Sequence, residues 1–205
     1  MEDQRGYFVG LQDDKLFHYD GKDPSEVRLS DIARALSRLD RYNGHGRYRW
    51  TVATHSLHVA WVVNEIGFPN LVLEAMLHDG EEAYVGDVIA PMKRALYPHY
   101  HDFLAPIRDC VRFAFGLEGA LSEHTREADT YVSWLETAHL FSHDTWEKVW
   151  HQPVPIMAGH LDNVIPDAIK LFSKLSAEEQ EQRFKDGVLA ELMRELTRSL
   201  ETAKD

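Results

Sequence analysis

Among 205 residues there is a single cysteine, Cys110, so no disulfide can form within the chain, and the count fits a reducing compartment. Nowhere do apolar residues run for the roughly 20 positions that a membrane-spanning helix needs. The opening Met1-Glu2-Asp3-Gln4 is acidic and no apolar stretch follows it, which speaks against a secretory leader. Positive charge is short as well: 22 Lys and Arg stand against 34 Asp and Glu, a formal charge of -12. A general binder of nucleic acid or of an anionic membrane needs a basic field, so both classes are disfavoured. A small phosphate-bearing ligand is not, because a few local cations or a bound metal suffice for it. Internal repeats and low-complexity tracts are lacking too. With 44% hydrophobic and 27% charged residues, the expectation is an intracellular, soluble protein of one domain.

Helical periodicity dominates what is present. Ser30 is the expected N-cap of a helix carrying Ile32, Ala35, Leu36 and Leu39. Asn43-Gly44-His45-Gly46 breaks it with an exposed loop. Thr54 is expected to cap a second helix, closed by Gly67 and Pro69. A third starts near Asn70 and stays apolar through Leu77, the pattern of a helix buried on most sides. Pro91 suits the first turn of another helix, residues 98–115 continue helical up to Gly116, and Ser122 opens a long helix through Asp129 and Leu140. Ser176-Ala177-Glu178-Glu179 is a capping-box pattern. Behind it Leu189, Leu192, Met193, Leu196 and Leu200 form an apolar stripe, either core or a contact between subunits. Only residues 7–19 alternate as strands do, around Gln12-Asp13-Asp14-Lys15, and predict a short hairpin. The expected fold class is all-α, a single helical domain over 1–205 with a hairpin arm in 1–27 and a C-terminal helix in 176–205.

Twelve histidines are many for this length, and a few keep suggestive company. His78-Asp79 ends the apolar run Leu71–Leu77, where a charged pair is costly unless each member is paired or ligates a metal. The other reading of the pair is a helix that simply reaches solvent there. His55 lies early on a mostly apolar helix, and Asp129 sits mid-helix between Ala128 and Thr130. Two imidazoles and two carboxylates suit borderline divalent metals such as Zn, Mn, Co, Ni or Fe, and no cysteine cluster competes for the role. His58, one turn from His55, is either its partner or a surface or core residue. His99, His101, His124, His139, His143, His151 and His160 show no pattern.

The strings Thr54-His55-Ser56-Leu57-His58-Val59-Ala60, Leu77-His78-Asp79-Gly80-Glu81-Glu82-Ala83-Tyr84-Val85-Gly86-Asp87 and Arg126-Glu127-Ala128-Asp129 resemble the HD-domain phosphohydrolase superfamily. Within it the pattern is similar to bacterial 5'-deoxynucleotidases and phage-encoded dATP triphosphohydrolases. The resemblance covers roughly residues 28–140, and Ser30–Ser37 leading into Arg41-Tyr42-Asn43-Gly44-His45 resembles the phage versions most. It implies a helical HD-type bundle, a cytoplasmic setting (of a bacterium, or of the host if phage-encoded) and a metal held by His55, His78, Asp79 and Asp129. The metal is expected to be Zn, Co or Mn, with further Mg or Mn if the substrate is a polyphosphate.

The resemblance also implies that Glu82 orients or deprotonates the attacking water; a divalent ion lowers that water's pKa from near 16 to about 7. Four residues separate His78 from Glu82, one face if the helix continues past Gly80. Arg126, three residues before Asp129, points to the same side and is expected to clamp phosphate oxygens. Arg41 stands at the family's phosphate-contacting arginine, and Lys93 matches its Pro-x-Lys and reaches outer phosphates. Tyr42 stands where these enzymes commonly carry Trp beside the nucleoside. Asp87 is expected either at the sugar 3'-hydroxyl, at a second cation, or merely in a turn.

A deoxynucleotide phosphohydrolase follows, dATP to deoxyadenosine plus tripolyphosphate before release of orthophosphate from monophosphates. Its partner would be a small-molecule nucleotide, and a homo-oligomer is compatible with the sequence. A non-catalytic nucleotide-binding regulator is the competing class, against which Glu82 and a full ligand set speak. The extra histidines of a two-iron oxygenase and the Gly-Tyr-Pro signature of cyclic-dinucleotide phosphodiesterases are missing.

Overall fold

The computed structural model describes residues 6–149 and 172–202. Met1–Gln4, His151, His160 and the side chains of Leu196 and Leu200 lie outside the described residues. The alternation in residues 7–19 makes a two-stranded antiparallel sheet, β1 (Phe8–Gly10) and β2 (Leu16–His18), with Val9 opposite Phe17. A lone hairpin is marginal in water. This one is anchored, because Phe17 is fully buried and stacks on Tyr84 at 3.9 Å. The Tyr19 hydroxyl donates to the Tyr84 carbonyl at 3.0 Å.

Everything else regular among the described residues is helical. Helix α1 (Leu29–Leu36) buries Ile32, Ala33 and Leu36. Its cap is Arg28, with extended backbone, and not Ser30, which falls inside the first turn. Helix α2 (Val52–Glu65) begins three residues before the expected start. Thr51 bridges to Asp40 in extended form, and its hydroxyl accepts the Thr54 N–H at 3.3 Å, so Thr51 is the cap. Helix α3 (Val72–Met76) follows a tight turn over Pro69–Leu71. Then come α4 (Glu82–Val85), α5 (Ala90–Ala95, with Pro91 in its first turn), α6 (His99–Ala114), α7 (Glu123–Leu140), α8 (His143–Val149) and α9 (Ala177–Thr202). Ser122 caps α7 as expected, accepting the Thr125 N–H at 3.1 Å.

Helix α2 is the central element, packed between α3 and α7, while α9 lies across α1, α2 and α3. The capping box at the start of α9 is reciprocal: the Ser176 N–H donates to Glu179 at 2.8 Å, and the Glu179 N–H donates to Ser176 at 3.1 Å. Among the described side chains, the face that α9 buries differs from the expected leucine stripe, of which only Leu192 packs against the core. Gln180, Phe184, Val188 and Glu191 are buried, whereas Leu189 and Met193 are 50% and 62% exposed and Leu192 is half-buried. Gly187 lies on that buried face, where a Cβ would come 2.5 Å from Met76 Cε, so the missing side chain leaves room for Met76 between α9 and α3.

The third helix also ends early. Leu77–Glu81 form a run of turns, so the apolar segment does not stay helical to its end. Gly80 permits the turn, since a Cβ would sit 3.0 Å from Val111 Cγ1 and 3.1 Å from the Leu77 carbonyl oxygen. Gly80→Ala is therefore expected to lower stability by about 1–3 kcal/mol through overpacking. A thermal unfolding scan checks this, and an unchanged Tm would mean that the turn has slack. No helix among the described residues is long and apolar enough to cross a membrane.

Candidate metal centre

Three elements converge on one point. His55 comes from the first turn of α2 and is fully buried; His78 comes from the turn after α3; Asp129 comes from the middle of α7. Each offers a ligand atom, all within 4.8 Å of one another, so the three can hold a metal ion. His55 Nε2 lies 3.0 Å from Asp129 Oδ1, and His78 Nε2 lies 3.9 Å from the same oxygen. Asp79 belongs beside this trio: its Oδ2 is 3.1 Å from His78 Nε2 and 3.9 Å from His55 Nε2.

The tautomers follow from the partners. His55 Nδ1 faces Glu136 Oε1 at 2.8 Å, and His78 Nδ1 faces the Ala75 carbonyl oxygen at 2.7 Å. A carboxylate and a carbonyl only accept, so both Nδ1 atoms carry the proton and donate it. In a neutral imidazole each Nε2 then presents a lone pair, and those lone pairs point at carboxylate oxygens. Lone pair against carboxylate is repulsive unless a proton or a metal cation lies between. The same pattern, an imidazole held through its second nitrogen by an oxygen acceptor, is what orients metal-ligating histidines.

The titration tendencies carry the same message. Burial opposes charge on His78, yet Asp79 and Asp129 raise its pKa to about 10. Burial and Arg41 oppose charge on His55, and Glu136 and Asp129 outweigh them and raise it. Burial works against the Asp79 and Asp129 anions, and the two histidines hold both carboxyls below their ordinary range. The cluster is a trap for positive charge.

Two clefts meet at the cluster, and both are lined by Asp79, Lys93, Arg94 and Asp129. One, of about 620 Å³, adds Arg41, Tyr42, Glu82 and Asp87. The other, of about 1260 Å³, adds His78, Arg108, Arg112 and Arg126 together with Glu81, Asp109 and Glu118. Glu82 is 2% exposed. Its Oε1 accepts from the Lys93 ammonium at 2.9 Å, and its Oε2 has no hydrogen-bond partner among the described residues. Burial, Asp79 and Asp87 push its carboxyl upward against Lys93. The route by which Glu82 gets there differs from the expected one. Helix α3 stops at Met76, so Glu82 opens α4 and no continuous helix places it one turn from His78.

The other expected residues are distributed around this junction. Arg41 lies 3.7 Å from Asp79 and 3.2 Å from Glu136, and it donates to Ser133 Oγ at 3.0 Å. The Tyr42 hydroxyl donates to Glu136 Oε2 at 3.0 Å, and its ring meets Phe141 edge-on. Lys93 is engaged with Glu82 rather than reaching outward. Asp87 lines the smaller cleft, and burial raises its carboxyl above the usual range. Arg126 is exposed and donates to the Leu121 carbonyl at 2.8 Å, at the rim of the larger cleft. His58 is a core histidine: it donates to the Thr54 carbonyl at 2.7 Å, lies against Trp50, and burial lowers its pKa.

Two contributors were missed in the sequence. Glu136 is fully buried and takes His55, Tyr42 and Arg41 as partners; Ser133 donates to Asp129 at 3.3 Å. A signal existed, since Asp129, Ser133 and Glu136 recur at i, i+4 and i+7 on one face of α7.

The fold and site thus define a mostly helical protein with a small two-stranded sheet and a His-His-Asp cluster able to hold a metal ion. The chain is 31% identical to the uncharacterized protein YfdR of Escherichia coli (strain K12) over 159 residues, 78% of the chain and 85% of that protein. It is 30% identical to the uncharacterized protein RCAP_rcc00048 of Rhodobacter capsulatus over 150 residues, 67% of the chain and 76% of that protein. No family model matches the chain. It belongs to the family of YfdR.

Proposed function

We propose that the protein is a divalent-metal-dependent phosphohydrolase of the HD-domain type that acts on deoxynucleotides, with dATP as substrate and deoxyadenosine and tripolyphosphate as products. One observation carries the reading: the Nε2 atoms of His55 and His78 face the carboxylates of Asp129 and Asp79 where two clefts meet, beside a buried glutamate with a free oxygen. The nitrogen and oxygen donors fit Zn, Co or Mn. Bound there by His55, His78 and Asp129 with Asp79 adjacent, such an ion would supply Lewis acidity toward a phosphoryl oxygen and a water.

The chain's own groups have separate tasks. Glu82 Oε2 takes the proton of the attacking water while Lys93 holds Oε1 in place. Arg41, at 12% side-chain exposure and pinned by Glu136 and Ser133, offers its remaining guanidinium edge to a phosphate in the smaller cleft. Tyr42 and Phe141 give that cleft the apolar wall that a nucleoside needs. Arg108 and Arg126 line the larger cleft and Arg94 lines both, which supports a polyphosphate tail over a single phosphate. Additional Mg or Mn would accompany such a tail.

The test is a panel of dNTPs, NTPs and dNMPs, each with Mn, Co, Zn or Mg, in which the phosphate product is identified. Tripolyphosphate supports the proposal. Orthophosphate from dNMPs would make the protein a 5'-deoxynucleotidase, and saturable binding without turnover would make it a nucleotide-binding regulator. Arg126→Ala is expected to lower kcat/KM by roughly 10²-fold, as loss of a charge clamp does elsewhere. An unchanged kcat/KM would mark Arg126 as a rim charge and no more.

A further inference from the structure

Glu136 sits about one turn before the end of α7, seven residues and about two turns beyond Asp129 on the same face. Its carboxylate is fully buried, and its two oxygens serve different parts of the site. Oε1 accepts the His55 Nδ1–H at 2.8 Å. Oε2 accepts the Tyr42 hydroxyl at 3.0 Å and lies 3.2 Å from Arg41 Nε. The residues it holds on that second side need holding. Tyr42 and Asn43 have φ of 57° and 53°, left-handed values that asparagine tolerates but that cost a residue such as Tyr42 of order 1–2 kcal/mol. The turn Arg41–Gly44, which lines the smaller cleft, is thus tied to the carboxylate that fixes the tautomer of His55.

We propose that Glu136 is a positioning residue that couples the metal centre to the nucleotide-binding turn, so that occupancy of one strengthens binding at the other. The inference rests on the reading above of His55, His78 and Asp129 as metal ligands and of Arg41 and Tyr42 as nucleotide contacts. The physical link is short. The Nδ1–H of His55 becomes a stronger donor when its Nε2 carries a cation, which tightens the bond to Oε1 and immobilises the carboxylate. Oε2 then holds Arg41 and Tyr42 more firmly in the geometry that meets the ligand. By linkage, a nucleotide that fixes Arg41 and Tyr42 must raise the affinity of the cluster for its cation by the same factor.

Glu136→Gln is nearly isosteric and breaks the arrangement at a defined place. If the amide oxygen keeps the His55 Nδ1–H, the amide NH2 meets Arg41 Nε as donor against donor. The experiment titrates the protein with Mn²⁺ by calorimetry, alone and with deoxyadenosine 5'-phosphorothioate, a monophosphate that resists hydrolysis and chelates free Mn²⁺ weakly. In the unsubstituted protein the nucleotide is expected to tighten Mn²⁺ about fivefold or more, within the ordinary range of coupling. In Glu136→Gln, Mn²⁺ alone is expected to bind about 10- to 100-fold more weakly, as when other partners of metal-bound histidines are lost, and the nucleotide effect falls to the part that direct contact between the phosphoryl group and the ion supplies. Tyr42→Phe removes only the Oε2 side. It is expected to bind Mn²⁺ alone as the unsubstituted protein does, but with the nucleotide effect reduced and KM raised.

An undiminished nucleotide effect in Glu136→Gln overturns the proposal, whatever that variant's Mn²⁺ affinity. If that variant does not fold, a full nucleotide effect in Tyr42→Phe overturns it equally. An unsubstituted protein that fails to bind Mn²⁺, Zn²⁺ or Co²⁺ would instead remove the metal-centre reading on which the inference stands.

Discussion

Replacing His78 by Ala is expected to reduce metal-dependent turnover to background while leaving the helical content unchanged. The imidazole is 2% exposed in its side chain and offers one of the ligand atoms that lie within 4.8 Å of one another. Loss of a partner that merely orients such a ligand costs 10- to 100-fold in metal affinity, so loss of the ligand itself should cost more than about 10²-fold. The fold has reasons to survive. His78 lies in a turn, outside α3, and Asp79 keeps Arg41 at 3.7 Å and His55 at 3.9 Å as neighbouring cations or donors. Asp79→Ala is expected to behave likewise. Phosphate release measured beside far-UV circular dichroism and a Mn²⁺ titration checks both variants. Activity at the unsubstituted level in either one removes that residue from the centre.

Glu82→Gln should separate chemistry from metal binding. The carboxamide retains an oxygen for the Lys93 ammonium, which now sits 2.9 Å from Oε1, and it fills the same space. What it loses is the ability to take up and return a proton at the Oε2 position, which has no hydrogen-bond partner among the described residues. General acid–base groups contribute typically 10²–10⁴-fold, so kcat is expected to fall by about that factor while Mn²⁺ affinity stays within a few fold. A variant with undiminished kcat would assign Glu82 to structure, as a buried counter-charge for Lys93.

The fates of particular residues show what was legible. His55 and Asp129 stood out because each places a ligand-type side chain where local periodicity asks for an apolar or neutral one, and that conflict is visible in one dimension. The hairpin, the proline in the first turn of α5, the Ser122 cap and the capping box of α9 were legible for a related reason: each is decided by hydrogen bonds and dihedral preferences within a few residues. The caps of α1 and α2 misled because several neighbouring side chains compete for the role. At α2 the choice was made by the bridge from Thr51 to Asp40. The end of α3 was hidden because it depends on Gly80 meeting Val111, thirty-one positions along the chain.

Glu136 marks the boundary between the two kinds of information. An acid in a long helix ordinarily faces water, and the one local sign to the contrary is that Glu136 shares a face with Asp129 and Ser133. Its meaning comes from His55 on α2 and from the turn at Arg41 and Tyr42, more than eighty positions away. By itself the sequence determined the helical class, the hairpin and the inventory of groups with ligand or phosphate chemistry, because periodicity and residue type are local properties. Only the tertiary structure decided which oxygen each imidazole nitrogen faces, that Lys93 holds Glu82, and that one buried carboxylate serves both His55 and Arg41. Those choices are made when the helices pack together and water is excluded, since a buried charge must then find its partner among whatever groups the fold brings within about 3 Å.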